Sequence, residues 1–291
     1  MEKILLDTDI GSDIDDSYCL AYLLKHPDSE LMGVTTVSGE AMERAKIADA
    51  ICRVAGKAVP IYCGSVLPLS DSNLQPVAKQ KAALPNWPHA QEFPYGAAEF
   101  MNRIITENPG EVTLVAVGPL TNVAVLFTQY PNTPRLLKKL VLMSGAFFGE
   151  AQQGRPKGEW NVRCDVRASR IVYQADVPEL RLLGLDVTKK VRMKQDEIRA
   201  NFTSPVLKTV EDFSRLWFEE REDSAFHDPL AAVSIFEPDI CTWKRGSVAV
   251  EPVENGGGIS TLAEDERGTA FVADTVNAAG FFEHFFKITR G

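Results

Sequence analysis

Near its amino terminus the chain runs Lys3-Ile4-Leu5-Leu6-Asp7-Thr8-Asp9-Ile10-Gly11-Ser12-Asp13-Ile14-Asp15-Asp16, a short apolar run that empties into a loop crowded with aspartates. Five carboxylates in ten residues repel one another and are driven toward protonation, unless a cation among them reverses the local field. The pattern therefore predicts a metal site. Ile4, Leu5 and Leu6 read as a buried strand, and Ser17 to Lys25 as a helix with an apolar face. The acidic loop then lies at the carboxyl end of a first strand, where α/β sheets put their ligands. A plainer account makes Asp15 or Asp16 a helix N-cap and the other aspartates solvated loop charges. One or two such residues would need nothing more; five at a strand end favour the cation.

Other guests fit this loop poorly. It has no G-x-G-x-x-G, so a dinucleotide phosphate is not expected. Gly11 comes too early for an EF-hand, and Ser17 to Lys25 supplies no closing Glu. The formal net charge of -9 argues against nucleic acid or an anionic membrane, either of which would want clustered Lys and Arg. Cys19, Cys52, Cys63, Cys164 and Cys241 form no C-x-x-C pair, so core thiols in a reducing cytoplasm are the simplest account. No apolar stretch reaches membrane-spanning length and no signal-peptide pattern is seen, so a cytoplasmic protein is expected.

Beyond the acidic loop, strand and helix alternate. Strands are expected at Leu31 to Val37, Pro60 to Cys63, Val112 to Val117, Leu140 to Met143 and Leu180 to Leu185. Helices are expected at Ala41 to Ala55, Tyr95 to Glu107, after Thr121, from Asp165 to Gln174, from Pro205 to Arg221 and from Leu230 to Phe236. Such alternation implies crossover units: an α/β domain over residues 1–291 with a largely parallel central sheet flanked by helices. Gly64 to Pro94 and Gly149 to Gly158 lack periodicity and read as loops over a site.

Three later stretches resemble the first in placing polar groups beside strand ends or helix starts. Val117-Gly118-Pro119 follows a strand and offers a backbone carbonyl to a hard cation, although alone it reads as a turn before a Thr121 cap. Glu159-Trp160-Asn161 pairs a carboxylate and an amide around an aromatic, a combination suited to sugar hydroxyls, although loop triplets are more often surface features. His227-Asp228-Pro229 is ordinary helix-start chemistry with Asp228 as N-cap and Pro229 at N1, which leaves His227 to explain as an acid or a core residue.

Taken together, Asp7-Thr-Asp-Ile-Gly with Asp15-Asp16, Gly33 to Gly39, Val117 to Asn122, Val141 to Gly145, Glu159 to Asn161, Gly184 to Thr188 and His227 to Pro229 resemble the calcium-dependent, inosine-uridine preferring nucleoside hydrolases. The resemblance implies hydrolysis of the N-glycosidic bond of ribonucleosides, one Ca2+, a homodimer or homotetramer, and a role in purine or pyrimidine salvage. By position, Asp9 looks like the metal ligand that takes a proton from the attacking water. Asp16, Asp228 and the Val117 carbonyl look like further calcium ligands, with Asp228 also close to substrate. Asp15 resembles the residue that grips the ribose 2′ hydroxyl, Glu159 and Asn161 those at the 3′ and 5′ hydroxyls, and Met143 part of the sugar pocket. His227 resembles the histidine beside the leaving base.

Departures from the family pattern mark where the chain is its own. Two extra residues separate Asp9 from the Asp15-Asp16 pair, so Asp13 competes for a place in it. Glu40 stands where many members have Asn, adding a charge expected near the sugar. The family's His-Gly segment is not recognisable, and His89, Trp87 and Tyr95 lie in the corresponding stretch. Two other readings stay open. A haloacid dehalogenase-like phosphohydrolase would use Asp7 as nucleophile, Asp9 as acid and magnesium, but leaves Glu159 and His227-Asp228 idle. A non-catalytic protein would bind calcium and ribose without turnover.

Overall fold

This computed structural model describes residues 1–71, 73–254 and 256–291. Strand β1 (Glu2–Thr8) lies inside the sheet with neighbours on both edges, and its alternating side chains feed two cores. Ile4 and Leu6 point into one and Leu5 into the other, all three buried, as a parallel strand covered on both faces requires. Ten more strands follow: β2 (Ser29–Thr36), β3 (Ile61–Cys63), β4 (Val112–Ala116), β5 (Lys139–Met143), β6 (Leu180–Leu183), β7 (Arg192–Lys194), β8 (Asp223–Ala225), β9 (Cys241–Pro252), β10 (Gly258–Glu264) and β11 (Ala270–Val276).

Nine of the strands form one sheet in the order β10-β9-β11-β6-β5-β4-β1-β2-β3, parallel from β11 to β3, while β9 runs antiparallel to β10 and β11. The chain first builds outward from β1 through β2 to β3, then returns to the other side of β1 for β4, β5 and β6. That reversal opens a crevice beyond the carboxyl ends of β1 and β4, the switch point where doubly wound sheets bind ligands. The acidic loop after β1 and Val117 after β4 both enter it. One core holds the helices Asp15–Lys25, Ala41–Val54, Pro205–Phe213, His227–Phe236 and Ala278–Thr289; the other holds Ala97–Glu107, Thr121–Gln129 and Val166–Tyr173.

Two expectations change. The helix expected over Pro205 to Arg221 breaks at Ser214 into Pro205–Phe213 and Arg215–Phe218, and Trp217 and Phe218 pack against the core. The hairpin of β9 and β10 and the return strand β11 were not anticipated, although buried Val248 and Val250 alternate with the more exposed Ser247, Ala249 and Glu251 at strand period. No helix among the described residues is long and apolar enough to cross a membrane.

Candidate active site

At the crevice a cavity of about 220 Å³ opens to solvent, and the motifs named above contribute to its wall, except Gly33 to Gly39 and Glu40. Asp9, Asp13, Asp15 and Asp16 line it from the first loop, Val117 and Met143 from β4 and β5, Glu159, Trp160 and Asn161 from the second insertion, and His227 and Asp228 from the helix they open.

Asp15, Asp16 and Asp228 each present a carboxylate oxygen within 4.8 Å of the others, although more than 200 residues separate the pair from Asp228. None is used as a helix cap. The helix Asp15–Lys25 begins after Ile14 and His227–Phe236 after Phe226, neither with a side-chain cap, so the capping accounts of Asp15, Asp16 and Asp228 fail. Asp15 accepts the Asp228 N–H at 3.2 Å, and Asp16 accepts the Thr8 hydroxyl. Burial pushes Asp15 up to about 8, with Asp13 adding to it, and drives Asp16 and Asp228 well above the carboxylate range, with neighbouring aspartates adding to both. Asp9 is raised by burial as well. Asp13, open to solvent, lies outside the group that Asp15, Asp16 and Asp228 form.

Among the described residues no Lys or Arg side chain bonds to any of these three carboxylates. The buried cation close by, Arg44, is turned to carbonyls: it donates to those of Ser38 (2.8 Å), Asp9, Ile10 (3.0 Å) and Gln75 (3.3 Å) and to the Ser12 hydroxyl (2.9 Å). Three buried carboxylates that make no ion pair among the described residues, in a cavity that Val117 also lines, are the donor set a hard divalent cation takes. The residues present fit a metal ion.

Glu159 and Asn161, expected at the sugar, are fixed by hydrogen bonds to the backbone. Glu159 caps the helix Trp160–Cys164 and accepts the N–H groups of Asn161 (2.8 Å), Val162 (3.1 Å) and Gly145 (3.1 Å). Asn161 Nδ2 donates to the carbonyls of Val117 (2.7 Å) and Met143 (3.1 Å), which leaves its Oδ1 unbonded among the described residues. Gly118 permits the approach of β4 to the acidic loop, since a Cβ there would lie 2.6 Å from Asp9 Oδ1. His227 Nδ1 lies 2.7 Å from Thr188 Oγ1, and its imidazole is held down to about 3, first by burial and then by Arg192, Arg155 and Lys189. It therefore faces the cavity uncharged.

Glu40 is a correction. Its carboxylate turns from the cavity to accept the Ala78 N–H at 3.0 Å and to pair with Lys81, anchoring the first long loop from outside. That loop instead sends in Gln75, whose Nε2 donates to the Asp9 carboxylate while its Oε1 accepts from Trp160 Nε1 at 2.5 Å. His89, Trp87 and Tyr95 stay outside: Trp87 Nε1 donates to Asp212, His89 lies against the Ala90 carbonyl, and Tyr95 is exposed. Asp7 is fully buried between the Thr35 hydroxyl (2.5 Å) and the Asn122 amide (2.7 Å) and does not line the cavity, so it has no access as a phosphohydrolase nucleophile.

The description "Inosine-uridine preferring nucleoside hydrolase" matches residues 4–283 of this chain. The chain belongs to that family. As a nucleoside hydrolase it is an enzyme that cleaves the N-glycosidic bond of ribonucleosides. It is 30% identical over 278 residues to uridine nucleosidase 1 of Arabidopsis thaliana, spanning 86% of this chain and 78% of that protein. To the pyrimidine-specific ribonucleoside hydrolase RihA of Escherichia coli it is 27% identical over 265 residues, spanning 85% and 84%. Among solved structures, the purine-preferring ribonucleoside hydrolase from Gardnerella vaginalis superposes with a TM-score of 0.81 at 23% identity, covering 99% of this chain and 98% of that one.

Sequence reasoning missed Arg44 and Gln75, which bond to the acidic loop, and Arg155, Lys189 and Arg192, which line the cavity. Arg44 left a signal, because it falls on the face of its helix that carries Ala41, Ala45, Ala48 and Ile51, where a cation must be bonded to be buried. Gln75 left none, lying in an aperiodic loop.

Proposed function

We propose that this nucleoside hydrolase acts on pyrimidine ribonucleosides, uridine first among the neutral ones, with Ca2+ held by Asp15, Asp16, Asp228, Asp9 and the Val117 carbonyl. The observation that carries the reading is the meeting of the Asp15, Asp16 and Asp228 carboxylates beside Asp9 in one cavity with His227. The names of the relatives, a uridine nucleosidase and pyrimidine-specific hydrolases, support the base class.

Hydrolysis breaks the C1′–N bond with its electron pair going to the base, while water oxygen bonds to C1′. Asp9 takes the proton that water gives up. Asp15 accepts from the 2′ hydroxyl, and Glu159 and the free Oδ1 of Asn161 hold the 3′ and 5′ hydroxyls, with Met143 against the ring. Positive charge grows on the ribosyl ring as the bond breaks, so a wall of carboxylates stabilises the transition state more than the neutral substrate. Bound calcium supplies neutralisation of the acidic group and a more acidic water. His227, uncharged and with Nδ1 engaged by Thr188, serves the departing base as a neutral hydrogen-bonding partner through Nε2 rather than as an imidazolium acid.

Unpaired, buried thiols at all five cysteines suit a reducing cytoplasm, where released base would enter salvage. The assembly implied by the family resemblance is a homodimer or homotetramer, to be read by light scattering. The test of function is ribose release from uridine, cytidine, inosine and adenosine by wild type and Asp9→Asn, before and after chelation and with Ca2+ or Mg2+ restored. We expect uridine to lead, Asp9→Asn to lower kcat by about 10²–10⁴, and Ca2+ to restore a chelated enzyme. Turnover that survives chelation, or a faster purine nucleoside, overturns the assignment of metal or base respectively.

A further inference from the structure

One group of charges in the cavity has no part in the chemistry above. Arg155, Lys189 and Arg192 line it together with His227, Arg155 from one segment and Lys189 and Arg192 from another. Arg155 comes from the second insertion, Lys189 follows the short helix Leu185–Thr188, and Arg192 opens β7, whose pairing with β8 sets it two residues in register from His227. Arg192 is neutralised by Asp223, with Nε to Oδ2 at 2.9 Å. Arg155 and Lys189 have no ion pair and no side-chain hydrogen bond among the described residues, and Arg155 Nε is shut off from water without a partner.

The carboxylates within electrostatic reach are already engaged. Asp186 acts on Lys189, but its oxygens accept the N–H groups of Phe147 (3.0 Å) and Phe148 (2.8 Å). Glu159 feels Arg155, but its oxygens hold three backbone N–H groups. Burial and the neighbouring cations Arg155 and Arg192 make the charge on Lys189 harder to keep. In a chain of net charge -9, cations gathered this way around a cavity do nothing for a neutral nucleoside, whose hydroxyls the carboxylate side already serves.

We propose that this cavity selects ribonucleosides carrying an anionic group, and that Arg155 and Lys189 bind that group. The inference rests on the ribonucleoside hydrolase reading and narrows its substrate class. The anion has two possible sources, a carboxylate on the base ring or a phosphate on the ribose 5′ oxygen. The base carboxylate is favoured, because the three cations act on His227, the residue assigned to the base.

The test compares kcat/KM for orotidine, a pyrimidine nucleoside with a ring carboxylate, for uridine, its neutral parent, and for uridine 5′-monophosphate. Wild type, Lys189→Met, Arg155→Met and the charge-keeping Lys189→Arg are each measured on the full chain with Ca2+. Wild type is expected to prefer orotidine to uridine, and each Met variant to lower the orotidine-to-uridine ratio by about 10- to 100-fold, the worth of a charge-assisted hydrogen bond, while Lys189→Arg keeps the preference. A preference for the 5′-monophosphate that falls in the same variants would place the anion at the ribose. A wild type that favours uridine over both anions, or ratios unchanged in the Met variants, overturns the proposal. If no substrate yields ribose, the hydrolase reading fails on its own, and calorimetric binding of orotidine decides the inference: binding weakened in Lys189→Met supports it, and binding equal to that of uridine overturns it.

Discussion

Gln75 uses both ends of its amide at the site, donating to Asp9 and accepting from Trp160. A donor on the ionised carboxylate favours the charged form and so opposes the burial that raises Asp9. Removing it by Gln75→Ala should raise the Asp9 pKa, and since a base must be ionised to accept a proton, the acid limb of kcat/KM should move to higher pH. A pH–rate profile checks this, and an unmoved limb would show that the amide does not act on Asp9. Glu40, by contrast, turns its carboxylate outward to Ala78 and Lys81, while the Gln75 amide enters from another segment.

Whole elements are joined around the acidic loop by one side chain from the helix Ala41–Val54. Arg44 ties residues 9, 10 and 12 to Ser38 and to Gln75, fastening the loop after β1 to the loop after β2 and to the first insertion. Arg44→Met keeps the stem but leaves several buried carbonyls without a donor, each worth about 1–3 kcal/mol. The expected loss is about 3 kcal/mol or more, read as a lower urea midpoint with m unchanged. A midpoint equal to that of wild type would mean the helix does not staple the loop. The second insertion is fastened in a similar way by Asp186 through Phe147 and Phe148, and the first by Asp165, which accepts from Leu69 (2.7 Å), Ser70 and Thr121. Both long loops over the cavity thus have their irregular backbone satisfied by buried carboxylates.

At the scale of the molecule, the acidic crevice couples stability to pH and to metal. Burial raises Asp7 to about 7 and Asp15 to about 8. Below about pH 4 these carboxyls are neutral in folded and unfolded chains alike. Between there and pH 8 the unfolded chain has released protons that the folded chain still holds, so folding takes up protons and stability falls as pH rises through the folded pKa values. The chelated protein should therefore lose Tm steadily from pH 5 to pH 8. Calcium should raise Tm most at pH 8, by about 2.7 kcal/mol of stability at a hundredfold excess over Kd. A chelated protein with a flat Tm across that range would contradict the raised carboxyls. How much of this was legible beforehand differs residue by residue. Ile4 to Leu6, Val112 to Val117 and Leu140 to Met143 announced buried parallel strands, because a strand covered on both faces must be apolar throughout, and the aspartates after the first announced a ligand site at its end. The sequence by itself thus determined the α/β alternation, the parallel strands β1 to β6 and the polar residues available at their ends. Only the tertiary structure decided that Asp228 closes on Asp15 and Asp16, that Gln75 enters and Glu40 leaves, and that Arg155 and Lys189 face the same cavity. The directions of those side chains are set by contacts with segments distant in sequence, and an aperiodic loop carries no local pattern that encodes them.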